Sequence, residues 1–273
     1  MIEITALAGA TLIQDLGRPG LGHLGISPSG AADRGALVAG NTALGNPVAA
    51  PGLEIIGSLT ILPHRDLLVA ITGAAMTPSV TAVLAGQEFQ IGPAAHGWRT
   101  YLTVAGGLEV PAVLGSASTD TLSGLGPAPA AEGDQLRVGA VRGPLPTVDP
   151  VPAQAPASGA LVMLDAGWGP RADWVSNPEE LFHQPWRVGV GDRVGTRLHG
   201  VGLQRAITAE LPSEPVVTGS IQIPPDGQPV ILGPDHPTTG GYPVIAVLTQ
   251  AANDALAQLR QGGTVRFRGV ALR

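Results

Sequence analysis

The chain has 273 residues, enough for one large domain or two moderate ones with sizeable cores. It carries a formal net charge of −6, no cysteine, and fifteen basic residues that are all Arg. That inventory excludes disulfides, thiol nucleophiles, Cys-ligated zinc, Schiff-base lysines, a P-loop lysine and a covalently biotinylated lysine within these residues, and nothing in it resembles the basic stripe of a nucleic-acid binder.

Charged residues make up 13% of the chain, against a usual share of about 25%. The 39 Gly and 26 Pro punctuate short runs rich in Val, Ile and Thr. That texture predicts many short strands joined by turns. The first expected strand is Met1–Ala6. Ser29 to Leu44 reads as a helix, with Ser29 as cap and Ala32, Ala36, Ala39 and Ala43 on neighbouring turns. Leu53–Leu62 is a strand. The uncharged stretch Leu67 to Gln87 is long enough to raise a membrane span, but Gly73, Pro78 and several Thr divide it into strands Leu67–Thr72 and Val80–Leu84 around a turn at Gly73–Ser79. Arg99–Val104 and Asp134–Val138 are further strands, separated by a turn-rich segment from Gly115 to Gly126.

Five prolines between Gly143 and Gly159 forbid a helix and resist a central strand, so this stretch is expected to be an extended linker. The expected organisation is therefore a domain over 1–142, a linker over 143–159 and a domain over 160–273. In the second half, Leu161–Leu164 reads as a strand, Asn177-Pro178-Glu179-Glu180 as a short helix start, Thr249 to Gln261 as a helix capped by Thr249, and Thr264–Arg268 as a closing strand. Gly189 to Gly195 imitates a dinucleotide fingerprint. Its spacing is off by one and Thr196–Gly200 reads as strand where the fingerprint demands a helix, so it is rejected. The six histidines show no zincin spacing, and no metal site is expected. The N-terminus lacks the basic region and apolar core of a signal peptide, so a cytoplasmic location is expected, with no membrane partner.

Two segments concentrate chemistry. Gln14-Asp15-Leu16-Gly17-Arg18-Pro19-Gly20 sets an acid and an Arg three residues apart between glycines. It is either a surface ion pair in a turn or a paired acceptor and donor facing a planar amide, urea or phosphate. Gly233-Pro234-Asp235-His236-Pro237-Thr238-Thr239-Gly240-Gly241-Tyr242-Pro243 packs an acid, an imidazole and two hydroxyls into one loop, as turn chemistry or as a binding surface. Ser27 and Ser29 open the expected first helix, either as caps or as anion ligands.

These segments carry a family resemblance. The Gln14–Gly20 run, Gly25-Ile26-Ser27-Pro28-Ser29-Gly30-Ala31-Ala32-Asp33, Leu53-Glu54-Ile55, Tyr101 to Leu108, Leu114-Gly115-Ser116 with Ser118-Thr119, Asp192 to Leu198, Gly219 to Pro224 and Gly227 to Leu232 are similar, in order, to the allophanate-hydrolase-subunit-2 family. Val141–Gly159 matches no part of it. The branches of that family include the C subunit of 5-oxoprolinase, Kip-type antagonists of a kinase inhibitor, and the carboxyltransferase part of urea carboxylase. The resemblance implies a mostly β fold of two cyclophilin-like β-barrel domains with a few short helices.

It further implies work beside a KipI-like subunit, the B component, and a LamB/YcsF-like one, the A component, with ATP bound at a site shared with these partners and no covalent biotin on this chain. In the 5-oxoprolinase branch the reaction is ATP-driven opening of the cyclic amide 5-oxo-L-proline to L-glutamate. Asp15, Arg18 and Asp235 are the residues expected to carry chemistry, and Gln14, Ser27, Ser29, Gln222, His236, Thr239 and Tyr242 those expected to hold substrate. Two alternatives stay open: the carboxyltransferase subunit of a biotin-dependent urea or small-amide carboxylase, and a non-catalytic antagonist.

Overall fold

A computed structural model describes residues 1–74, 79–141, 143 and 159–271. The expected linker lies outside them apart from Gly143 and Gly159, and so does most of the expected Gly73–Ser79 turn. The chain is mostly β. By contacts it divides into two compact units. The first contains Met1–Arg18, Ser29–Asp120 and the chain from Gly124 toward the proline-rich segment. The second contains the remainder beyond that segment, together with Pro19–Pro28 and Thr121–Ser123.

The first unit is built on an eight-stranded sheet. In chain order its strands are β1 (Ile2–Gln14), β2 (Gly52–Pro63), β3 (Leu67–Gly73), β4 (Ser79–Val83), β5 (Phe89–Ile91), β6 (Thr100–Val104), β7 (Leu108–Glu109) and β8 (Gln135–Val138). Their spatial order is β4-β3-β6-β2-β1-β8-β7, with β5 also paired to β2. Ile2, Ile4, Leu53, Ile55, Leu59, Ile61, Val69 and Leu102 point into one core.

β1 is more than twice the length expected from sequence. It continues past Ala6 because it pairs with β2 along its whole length, from Ile2 opposite Pro63 to Gln14 opposite Gly52. Gly9 and Gly57 sit directly opposite each other at φ of +93° and +105°. A Cβ on either would come within 2.1 Å or 2.0 Å of the facing strand's carbonyl oxygen, so only glycine fits this close backbone approach.

Helix α1 spans Arg34–Ala43 and begins five residues later than expected. Asp33 is its cap, accepting from Ala36 N at 2.9 Å. Ser29 does not cap it. The residue sits at a φ of 51° and its hydroxyl donates to Thr119 O at 3.2 Å. Upstream, the amides that would begin a helix have long-range acceptors: Ala31 N donates to Asp15 O at 2.8 Å and Ala32 N to Glu54 Oε2 at 2.9 Å.

The second unit's strands are β9 (Leu161–Trp168), β10 (Trp186–Gly191), β11 (Gly195–His199), β12 (Glu214–Pro215), β13 (Ser220–Gln222), β14 (Val230–Leu232), β15 (Thr239–Gly240), β16 (Val244–Leu248) and β17 (Thr264–Gly269). Seven of them close a barrel in the order β10-β11-β14-β13-β16-β9-β17, and β12 pairs with β15 beside it. The closing seam, β9 against β17, is the parallel pair, running from Leu161 opposite Thr264 to Ala166 opposite Gly269. Leu164, Trp186, Leu198, Ile221, Ile231, Ile245, Val265 and Phe267 fill the interior. The indole of Trp186 is fully buried and donates to Leu181 O at 2.9 Å, which satisfies its one polar atom.

The rejected dinucleotide fingerprint is followed by β11, a strand and not a helix. Helix α2 (Glu180–His183) lies just past the expected start, and α3 (Gln250–Ala257) is capped as expected, Thr249 Oγ1 accepting from Ala252 N at 3.2 Å. Among the described residues no helix is long and apolar enough to cross a membrane.

Candidate functional site

The residues singled out from sequence fall into two groups. In the first unit, β1 ends at Gln14 and delivers Asp15 and Arg18 against the segment Ser116–Asp120, all of it buried. The Asp15 carboxylate is fully engaged. Its Oδ1 accepts from Gly17 N at 2.7 Å, Ser116 Oγ at 2.6 Å and Ser118 Oγ at 2.5 Å, and its Oδ2 accepts from Ala117 N at 2.7 Å. Asp15 N in turn donates to Ser118 Oγ at 3.1 Å. One carboxylate thus holds the tight turn after β1 to the Ser116–Ser118 segment, neutral donors taking the place of a cation.

Gly30 closes the same loop from the other side. At a φ of +94°, a Cβ there would lie 2.8 Å from Gly17 N.

Arg18 is 2% exposed. Its Nη2 donates to Ser118 O at 2.5 Å and its Nε to Val113 O at 3.4 Å. Gln14 Nε2 donates to Thr119 O at 2.8 Å. Gln14, Asp15, Arg18 and Ser29 therefore converge on one segment, 116–119. In sequence that segment was legible as turn-rich and as part of the ordered family motif, Leu114-Gly115-Ser116 with Ser118-Thr119. Ser116, Ser118 and Thr119 are the residues of this site that spacing did not single out, and the run of hydroxyls beside Gly115 was the available signal.

Behind this group lies a second buried polar layer. Glu54 Oε2 accepts from the Tyr101 hydroxyl at 2.7 Å, and Arg99 Nε stands 3.4 Å from Glu54 Oε1. Burial, with the charges of Glu54 and Asp33, pushes the Tyr101 phenol well above its ordinary value. Its hydroxyl oxygen accepts from Asp33 N at 2.8 Å, so the layer fixes the entry to α1.

In the second unit, Asp235 is fully buried and clamped. Arg193 grips it through two parallel bonds, Nε to Oδ2 at 2.8 Å and Nη2 to Oδ1 at 2.9 Å. Thr121 adds two more donors to Oδ2, its backbone N at 2.9 Å and its Oγ1 at 2.7 Å. The side chain of Ser27 donates to Pro234 O at 2.9 Å, so the chemistry-rich loop is pinned beside Asp235 as well. His236 Nδ1 lies 2.7 Å from Pro237 O. A carbonyl only accepts, so that nitrogen carries the hydrogen. Gln222, buried on β13, donates from Nε2 to Tyr242 O at 3.2 Å and packs under Gly240, where a Cβ would come within 2.4 Å. Thr239, on β15, and Tyr242 are exposed. Ser27, Gln222, Asp235, His236, Thr239 and Tyr242 thus belong to one loop system at the barrel. Arg193 and Thr121, which make Asp235 a strut, were not among the residues singled out for the site.

Among the described residues no group of three or more His, Asp or Glu is arranged to hold a metal. A pocket of about 320 Å³ in the first unit, lined by Arg65, Asp66, Leu68 and Leu84 among others, contains none of the residues above.

Residues 24–269 match the family described as carboxyltransferase domain, subdomain A and B. The chain is 35% identical to the 5-oxoprolinase C subunit of Escherichia coli K12, over 98% of this chain and 90% of that protein. It is 34% identical to the 5-oxoprolinase C subunit of Haemophilus influenzae, over 100% and 92% respectively. The crystal structure of Kluyveromyces lactis urea carboxylase superposes with a TM-score of 0.87 at 26% identity, covering 99% of this chain and 27% of that one.

Proposed function

This chain belongs to the carboxyltransferase-domain family containing subdomains A and B, and from that premise we propose that it is the C subunit of an ATP-dependent 5-oxoprolinase. The observation that carries the reading is identity of 34–35% to two proteins of that name over nearly the whole of both chains. In this reading the substrate is 5-oxo-L-proline, the product L-glutamate, and the partners are a KipI-like subunit together with a LamB/YcsF-like one. ATP would phosphorylate the lactam oxygen and so make its carbon electrophilic enough for water to add. The ring C–N bond then breaks with nitrogen leaving as the amine, and a second water hydrolyses the resulting acyl phosphate to glutamate and phosphate.

The chain's own contribution is to bind and orient. It has no lysine, so any contact with phosphate runs through Arg, main-chain N–H groups and hydroxyls. Arg18 keeps one donor open, its buried Nη1, which has no acceptor among the described residues. Asp15 and Asp235 act by position. Every oxygen of both carboxylates already accepts a hydrogen bond, so each holds a loop in place. Gln222, His236, Thr239 and Tyr242 belong to the second loop system, which this reading assigns to contact with substrate or partner.

The likeness to urea carboxylase favours one second reading, the carboxyltransferase subunit of a biotin-dependent urea or small-amide carboxylase, with biotin carried on another protein. Co-expression with the KipI-like and LamB/YcsF-like partners separates the two. The first reading expects glutamate release from 5-oxo-L-proline that requires ATP and stops when this chain is omitted. A complete assembly inactive on 5-oxo-L-proline, but transferring carbon dioxide from carboxybiotin to urea, would replace the first reading with the second.

A further inference from the structure

Three arginines are buried among the described residues: Arg18, Arg99 and Arg193. Two of them face a carboxylate, Arg99 beside Glu54 and Arg193 on Asp235. Arg18 has none within ion-pair distance among the described residues. Its bonds go to two carbonyl oxygens, and its Nη1 is buried without a partner among the described residues. The acid nearest in sequence, Asp15, already accepts from four neutral donors. A guanidinium taken out of water without an anion is a poor structural device, because its desolvation is not offset.

Two more buried side-chain atoms in the first unit lack partners among the described residues, Gln14 Oε1 and Thr119 Oγ1. They are not scattered. Arg18 is bonded to Ser118 O and Gln14 to Thr119 O, so all three orphans hang on two consecutive residues. Native folds leave few buried polar atoms unsatisfied, and a cluster of them calls for an occupant. The set has a definite chemistry: one cationic donor, one hydroxyl and one pure acceptor. Two donors match the two oxygens of a carboxylate. A phosphate presents three oxygens and more charge, and is usually met by several cations or a nest of backbone N–H groups.

We propose that Arg18, Gln14 and Thr119 form a recognition point for a small α-amido acid. Arg18 Nη1 and the Thr119 hydroxyl donate to its carboxylate, and Gln14 Oε1 accepts from the N–H beside it. This deepens and rests on the 5-oxoproline reading, because that lactam carries a carboxylate on the carbon next to its N–H while urea carries none.

The test is calorimetric titration, at fixed ionic strength, of the full chain and of its assembly with the two partner proteins. The probes are 5-oxo-L-proline, 2-pyrrolidinone (the same lactam without the carboxylate) and inorganic phosphate. Hydrogen bonds to a charged group predict that 5-oxo-L-proline binds about 10- to 100-fold more tightly than 2-pyrrolidinone. Arg18→Gln collapses that preference. Thr119→Val removes a hydroxyl that makes no bond among the described residues, so it folds normally, and it weakens 5-oxo-L-proline several-fold while leaving 2-pyrrolidinone unchanged.

Equal affinity for the two lactams in both preparations, stronger binding of phosphate, or a preference untouched by both substitutions overturns the proposal. Hydrolysis of 5-oxo-L-proline without an Arg18-dependent preference rejects this recognition point and keeps the function. The preference without ATP-dependent hydrolysis keeps the recognition point and rejects the function.

Discussion

Replacing Asp15 by Asn exchanges a single heavy atom and adds no bulk, yet the hydrogen-bond inventory predicts a large effect. Oδ1 accepts three bonds and Oδ2 one, all at 2.5–2.7 Å. An Asn must turn its amide nitrogen toward one of these sets. Facing Oδ1's donors it would meet Gly17 N–H and two serine hydroxyls. The milder orientation faces Ala117 N–H alone, donor against donor. That orientation loses one charge-assisted bond, worth about 1.5–3 kcal/mol. The three remaining bonds fall from charged to neutral strength, roughly half each, for about 2–4.5 kcal/mol more in total.

The expected loss is therefore about 4–7.5 kcal/mol, a large part of the roughly 5–15 kcal/mol that holds a typical domain together. Urea denaturation of wild type and Asp15→Asn measures it, with Ser118→Ala as a variant that removes a donor and leaves the charge. A loss below about 1 kcal/mol for Asp15→Asn would refute the view of this carboxylate as the tie between the turn after β1 and residues 116–118. Because Gly17 and Arg18 follow directly, the same variant displaces Arg18 from Ser118 O. Its binding defect is then expected to exceed that of Ser118→Ala.

Two further outcomes follow from the first unit. The Tyr101 phenol has its folded value raised above the unfolded one, near 10, so the stability it confers is complete below about pH 10 and is lost as pH rises through the folded value. In a Tyr242→Phe variant, whose single tyrosine is Tyr101, absorbance titration should show no phenolate until the protein unfolds, and a native-state midpoint near 10 would contradict the buried geometry. Gly57→Ala forces a Cβ to 2.0 Å from Ala8 O at a φ of +105°. The variant should lose about 2–5 kcal/mol in thermal or urea unfolding. A wild-type melting temperature would show that β1 and β2 do not approach closely at Gly9.

Much of the strand pattern was legible because it depends on neighbours along the chain. Leu67–Thr72, Val80–Leu84 and Thr264–Arg268 fall within a residue or two of β3, β4 and β17. Alternating side chains and flanking turn residues specify such elements locally. The cap at Thr249 is local too, a hydroxyl reaching the amide three residues on. What failed to read were elements whose limits depend on distant partners. The first helix starts at Arg34 and not near Ser29, because Asp15 O and Glu54 Oε2 have claimed the amides of Ala31 and Ala32. β1 runs to Gln14 because Gly57, far along the chain, lets two backbones meet at Gly9.

The same division runs through the site. Composition alone determined that no lysine or cysteine chemistry resides in these residues, and ordered motifs alone pointed to the family and to Gln14, Asp15, Arg18 and Asp235 as residues to watch. Only tertiary structure decided which donors and acceptors surround each of them. Sequence spacing left two readings for Asp15 and Arg18, an ion pair with each other at the surface or a paired acceptor and donor facing a ligand. In the fold Asp15 is satisfied by Gly17, Ser116, Ala117 and Ser118, and Asp235 by Arg193 and Thr121. Among the described residues Arg18 is left buried with an open donor. Whether a charged group is a strut or a free hand depends on which donors and acceptors surround it in space. Those partners, about a hundred residues away for Asp15, cannot be read from its own stretch of chain.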